Sequence, residues 1–126
     1  MKLLKETGAL LEGHFLLSSG NHSSHYVQCA LLLSRPNAAI EFMQDIADHI
    51  PGAYVDTVAA PAIGGIIVAY EIARLIGKRA IFLEREKGNM RLRRGFTVKM
   101  GERVHIVEDV ITTGGSVLEI QDVLEK

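Results

Sequence analysis

The run V-H-I-V-E-D-V-I-T-T-G-G-S at residues 104–116 constrains this chain more than any other stretch. A short β-prone segment leads into two adjacent carboxylates, Glu108 and Asp109, and Thr-Thr-Gly-Gly-Ser then opens a helix. Strand, glycine-rich turn and helix start, in that order, suit a phosphate dianion, because unsatisfied backbone amides and the positive end of a helix dipole converge on it. Gly114 and Gly115 permit close approach to the backbone and positive φ. Thr112, Thr113 and Ser116 add hydroxyls. Glu108 and Asp109 repel a phosphate at contact, so they fit better against ribose 2′- and 3′-hydroxyls or beside Mg²⁺ bound there. Taken alone, such a turn can simply cap a helix. The run is neither a G-x-x-x-x-G-K-[ST] phosphate loop nor a dinucleotide-binding G-x-G-x-x-G.

The remaining chain supplies a setting for such a turn. Residues 2–12 predict a short amphipathic helix with Leu3, Leu4 and Leu11 as its apolar positions. The Gly-, Ser- and Asn-rich second half of 14–24 predicts a turn, and 25–33 a strand. Ser34 is placed as N-cap and Pro36 in the first turn of a helix running to about His49. Ala39, Met43, Ile46, Ala47 and Ile50 recur there at helical spacing, flanked by Ile40, and Pro51-Gly52 stops it. Residues 54–60 predict a buried strand, 61–65 a turn, and 66–76 a helix ended by Gly77. Residues 79–83 predict another short strand, 84–99 a hairpin or mobile loop, 104–107 a strand and 116–124 a helix. Short buried strands alternating with helices predict an α/β fold, a parallel sheet flanked by helices, with ligands at the carboxyl ends of the strands. Both glycine-rich turns fall there.

Composition narrows the function classes. A chain of 126 residues, 48% apolar, with net charge −1, predicts one globular domain without the charge excess that nucleic acid or an anionic membrane calls for. Charge is locally uneven: between residues 84 and 94, Arg85, Lys87, Arg91, Arg93 and Arg94 face only Glu84 and Glu86, a patch suited to an anionic ligand. The longest stretch without Asp, Glu, Lys or Arg, residues 13–34, holds three His and five Ser and is too polar to span a bilayer. A single cysteine, Cys29, excludes an internal disulfide, fits a cytoplasmic protein and reads as a core thiol. His14, His22, His25, His49 and His105 show no metal-ligand spacing, and the H-x₂-H at 22 and 25 reads as incidental.

Residues 104–116 resemble the 13-residue signature of type I phosphoribosyltransferases, which bind 5-phosphoribosyl 1-pyrophosphate (PRPP); His105 stands where that family usually has an aliphatic residue. The resemblance implies that Glu108 and Asp109 hold the ribose hydroxyls, and that Val110, Ile111, Thr112, Thr113, Gly114, Gly115 and Ser116 wrap the 5′-phosphate. Residues 15–26, F-L-L-S-S-G-N-H-S-S-H-Y, are similar to the hood segment of the family's orotate-specific members, F-x-L-[KS]-S-G-x-x-S-x-x-Y. That likeness implies Ser18, Tyr26, Val27 and Thr112 near orotate, with Ser18 standing where some members carry a Lys. A-A-P-A-I-G-G at 59–65 resembles the pyrophosphate loop, which would present Ala62, Gly64 and Gly65. Residues 82–96 resemble the flexible catalytic loop by position. Arg85 aligns with its first Arg and Lys87 with its catalytic Lys, although the loop is short and lacks the family's His.

What the resemblance implies is a single phosphoribosyltransferase domain with a hood at about 1–34 and a core at about 35–126. It would catalyse phosphoribosyl transfer to orotate with Lys87, Arg85 and Asp109 as catalytic residues. Mg²⁺ would be bound mainly through PRPP, with Asp109 possible via water and no direct side-chain ligand. A homodimer with shared sites is expected. The family continues beyond a point equivalent to residue 126 with further strands and an Arg for the orotate carboxylate, so the chain is expected to be C-terminally short. Two alternatives stay open: transfer to another nucleobase, and a non-catalytic PRPP-sensing regulator.

Overall fold

A computed structural model describes residues 2–17 and 19–126. The chain divides into two compact units, Met1–Glu41 and Phe42–Lys126.

The first unit begins with α1 (Lys2–Glu6), which Gly8 follows at φ 72°. The predicted helix over 2–12 stops early because Leu10 already belongs to a strand. β1 (Leu10–Leu16) pairs antiparallel with β2 (His22–Val27), with a register shift between Glu12 and Phe15. The predicted strand over 25–33 is likewise divided. β2 ends at Val27, and Cys29–Leu33 forms α2, which buries Cys29, Leu32 and Leu33. An apolar run this short is ambiguous between strand and helix, and here the helix wins. Ser34 caps the carboxyl end of α2, donating its hydroxyl to Leu31 O at 2.8 Å, instead of opening the next helix. α3 (Pro36–Asp48) follows and runs on past Glu41 into the second unit, burying Ala39, Met43 and Ala47 at four-residue spacing as the sequence predicts.

In the second unit a four-stranded sheet runs in the order β5-β4-β3-β6. β3 (Thr57–Pro61) is buried throughout and pairs parallel with both β4 (Arg79–Glu86) and β6 (Val104–Ile106), whereas β5 (Asn89–Leu92) pairs antiparallel with β4. The sheet is therefore mixed rather than parallel. β4 continues three residues beyond its predicted end, and a two-residue turn returns it as β5. Alternating Glu84-Arg85-Glu86 conceals this extension, since strand periodicity is read from apolar residues. Tyr54 belongs to a short 3₁₀ turn, Gly52–Tyr54, so β3 starts later than predicted.

Alternation along β3 assigns its two faces. Ala59 packs with Ile81, Leu83, Met90 and Ile120 of α5 (Gly115–Leu124). Ala60 faces α4 (Gly64–Ile76), where a Cβ built on Gly65 would stand 3.0 Å from the Ala60 Cβ. Gly77, at φ 68°, ends α4, and Lys78 N–H closes the last turn onto Ala73 O at 2.8 Å. At the amino ends of the parallel strands, Thr57, 1% exposed, donates its hydroxyl to Glu102 and accepts from Arg79 Nε at 3.0 Å. Among the described residues no helix is long and apolar enough to cross a membrane.

Candidate functional site

Both glycine-rich turns emerge from the carboxyl ends of the neighbouring strands β3 and β6, and each opens a helix. The Asp109 carboxylate lies directly against Gly64 at the first turn of α4. A Cβ added there would come within 2.7 Å of the Asp109 Cγ and still closer to its Oδ2. Two segments 45 positions apart therefore interlock through the one residue type that leaves room. A carboxylate at a helix amino end is also favoured by the exposed amides and the dipole.

A cavity of about 260 Å³ is lined by Val110 and residues 112–116, together with Glu108, Arg85 and Glu119. Gly114 takes φ 77° as N-cap of α5 and offers no side-chain cap, so the first amides of the helix remain available to an anion. The Ser116 side chain lies beside Glu108 and favours its charged form. Partial burial, with Asp109 beside it, pushes the Glu108 carboxyl above its ordinary value against the opposing pull of Ser116. The acidic pair is thus a place short of positive charge. Ile111 is exposed and does not line the cavity.

Two larger cavities, of about 550 and 710 Å³, flank α5 beside β6 and β5 respectively. Neither includes the glycine turns, so size does not select the site; oriented amides and hydroxyls do.

The predicted pyrophosphate loop is only partly free. Ala62 donates its amide to Leu83 O at 2.7 Å, which occupies the first of the three expected donors, and the Ala62–Ile63 peptide bond is cis. Gly65 is buried against Ala60 and Pro61, where its missing side chain serves helix–strand packing. Gly64 alone faces the acidic pair.

The basic segment is a hairpin whose arginines are already paired. Arg85 is held by Glu119 through two hydrogen bonds of 2.6 and 2.9 Å and also donates to Gly88 O at 3.1 Å. Arg94 grips Glu84 at 2.5 and 2.9 Å, Arg93 lies 3.4 Å from Glu86, and Arg91 lies 3.9 Å from Glu86. Lys87 and Gly88, at φ 51° and 85°, form the hairpin turn in the two-residue geometry that requires positive φ at both positions. The Lys87 ammonium has no hydrogen bond or ion pair among the described residues, and Lys87 does not line the 260 Å³ cavity. The structure thus brings Arg85 to residues 108–116 but not Lys87. Glu119, at the cavity's lip, went unnoticed in the sequence, where it reads as one more charge on a solvated helix face.

Tyr26 and Val27 lie on β2 in the first unit, with the Tyr26 ring 5.6 Å from that of Phe15. Ser18 lies outside the described residues. Among the described residues, no group of three His, Cys, Asp or Glu gathers to hold a metal ion.

No protein-family model matches the chain. Over all 126 residues it is 52% identical to an orotate phosphoribosyltransferase of Caldicellulosiruptor bescii, covering 66% of that protein. It is 51% identical over 125 residues to one of Thermotoga maritima, covering 99% of this chain and 67% of the relative. The chain thus spans about two thirds of the length of these curated relatives. The crystal structure of orotate phosphoribosyltransferase from Aeropyrum pernix matches with a TM-score of 0.76 at 31% identity, over 98% of this chain and 72% of that one. The structure of Leishmania donovani UMP synthase shares the fold, with a TM-score of 0.75 at 22% identity, over 96% of this chain and 26% of that one.

Proposed function

Since the chain belongs to the orotate phosphoribosyltransferase family, we propose that it carries the phosphoribosyl-binding part of an enzyme that transfers the 5-phosphoribosyl group from PRPP to N1 of orotate. The products are orotidine 5′-monophosphate and pyrophosphate, a step of pyrimidine biosynthesis. The observation that supports this reading is the lock between Asp109 and Gly64 beside the 112–116 cavity, which brings an acidic pair, a glycine-rich turn and a second helix start to one place.

In this reading the amides of residues 113–116 and the Thr112 and Thr113 hydroxyls hold the 5′-phosphate, and Glu108 and Asp109 accept from the ribose hydroxyls. Clamping both ends of the sugar presents C1′ to the incoming nitrogen, so positioning supplies much of the rate. As the C1′–oxygen bond breaks, negative charge builds on the leaving pyrophosphate. Cationic side chains aimed there stabilise the transition state more than the ground state. Lys87, unpaired at the hairpin tip, is suited to that role from a second subunit, in a homodimer with shared sites. Arg85 adds charge at the phosphate cavity. Orotate N1 is acidic already, so no strong general base is needed.

The acidic pair offers hard oxygen donors of the kind Mg²⁺ prefers, and the raised Glu108 is eased by a nearby dication. When bound, mainly through PRPP oxygens, Mg²⁺ would be approached by Asp109 through water and would supply charge neutralisation at the leaving group. Orotate is assigned to Thr112, Tyr26, Val27 and Ser18, and the protein to the cytoplasm.

The test is an orotate absorbance assay with PRPP and Mg²⁺, run alongside calorimetric PRPP binding, on the wild type, Lys87→Ala and Asp109→Asn. Asp109→Asn is expected to weaken PRPP binding, and Lys87→Ala to slow turnover. Unchanged binding and turnover in both variants would remove the site assignment.

A further inference from the structure

The register shift between Glu12 and Phe15 brings together two imidazoles that lie eight positions apart in the chain. Nε2 of His14 stands 2.7 Å from Nδ1 of His22, with ring centroids 4.8 Å apart and planes tilted by 41°. At that separation one nitrogen carries a hydrogen and the other presents its lone pair. Both side chains are exposed.

We infer that His14 and His22 form a two-histidine site for a transition-metal dication of the imidazole-preferring class, Cu²⁺ foremost. The ion takes the bridging position, and the hydrogen that was there is carried instead on the same ring's outward nitrogen, so both facing nitrogens become ligands with no net proton loss. Ligand chemistry selects the metal. The 2.7 Å contact is a hydrogen bond, and the two exposed rings turn until both lone pairs converge on the ion. Imidazole nitrogens bind Cu²⁺ most tightly of the divalent first-row metals, ahead of Ni²⁺ and Zn²⁺. Mg²⁺, which demands oxygen ligands, is excluded.

The backbone is built to hold this pair. Leu16↔His22 and Phe15↔Ser23 are paired on one side of the shift and Glu12↔His25 on the other, so the bulge re-aims His14 across the ladder. The Phe15–Tyr26 ring contact steadies the same strands. Other histidines are engaged elsewhere: His25 Nδ1 meets Ser24 Oγ at 2.9 Å, and His49 Nδ1 meets Asp45 O at 2.6 Å. The imidazole that the fold sets against His22 is therefore His14 on the other strand, not His25 three positions on. No group of three His, Cys, Asp or Glu gathers among the described residues, so water completes the coordination and binding is weaker than at a closed site. An ion that binds only the formed hairpin staples β1 to β2 and stabilises them by mass action. This site is independent of the transferase reading.

The test is Cu²⁺ titration of the full chain followed by electron paramagnetic resonance, with His14→Ala, His22→Ala and His25→Ala variants. One ion per chain with two-nitrogen hyperfine structure is expected. Affinity should fall at least roughly tenfold in each of the first two variants and stay unchanged in the third. A one-nitrogen signature, or equal affinity in His14→Ala and wild type, overturns the site. Should an alanine variant lose its hairpin, imidazole ¹⁵N spectra of the wild type with substoichiometric Cu²⁺ decide. Joint paramagnetic broadening of His14 and His22 supports the pair, and broadening confined to other histidines sinks it.

Discussion

The glycine turns and the basic hairpin make opposite use of their residues. The hairpin holds most of the positive charge in its part of the sequence, yet Arg85, Arg91, Arg93 and Arg94 all face carboxylates of Glu84, Glu86 or Glu119. The turn at 112–116 carries no formal charge, yet its helix start is uncapped and its cavity open. Availability for an anion therefore follows from which donors the fold leaves unspent, and a count of arginines overstates it. Lys87 is the hairpin's exception.

The largest test of this contrast is Gly64→Ala. The new methyl displaces the Asp109 carboxylate while the buried frame of β3 and α4 stays intact. PRPP affinity and turnover should fall roughly a hundredfold with only a small change in Tm, since a shift of about 1 Å at a positioned group costs that much. Binding calorimetry with a thermal melt checks it, and a matching collapse of Tm would mean that Gly64 serves the fold rather than the site.

Next in size is the difference between two hairpin cations. Lys87→Ala should lower turnover by roughly tenfold or more, as loss of a transition-state cation does. Arg94→Ala should leave turnover within about twofold and cost less than about 1 kcal/mol, as expected of an exposed ion pair. Steady-state rates and urea melts of the two variants separate these outcomes, and equal loss of turnover would erase the distinction between paired and unpaired charge.

A smaller effect is expected from Glu119→Gln, which releases Arg85 at the lip of the cavity. Binding of inorganic phosphate, read by calorimetry, should tighten by roughly two- to tenfold at low salt and return toward wild type as salt screens the guanidinium. Weaker binding would make Glu119 a support for Arg85 rather than its competitor.

The smallest concerns Glu108. Its folded carboxyl is raised above the ordinary value, so its contribution favours the fold in acid and is lost as pH rises through the raised value. Glu108→Gln should therefore raise Tm modestly at about pH 7 and leave it unchanged at about pH 4. Thermal melts at both values check the sign.

The sequence made some of this legible and hid the rest for physical reasons. The strand–turn–helix at 104–116 stood out because Gly-Gly after two carboxylates has few structural uses, and α3 and α4 stood out through apolar spacing and the Gly77 stop. The start of β1 at Leu10 and the division of 25–33 into strand and helix were not readable, because an apolar run of that length fits either element. The lock of Asp109 on Gly64 and the pairing of Arg85 with Glu119 depend on contacts across 45 and 34 positions, which no local pattern announces. His14 was set apart from His22 by the same limit: only the bulge brings them together.

At the starts of the parallel strands lies a clasp of a different kind. Thr57, Arg79 and Glu102 are joined there, and Arg103 grips Asp56 at 2.8 and 2.9 Å while donating to Ala53 O, which holds the Asp56 carboxyl well below its usual range. The glycine turns occupy the far ends of the same strands. Endurance and the proposed ligand contacts are thereby assigned to separate poles of one sheet. Substitutions that harden the chain against heat are expected to accumulate around Thr57 without disturbing the glycine turns, and the turns to tolerate change without loosening the clasp.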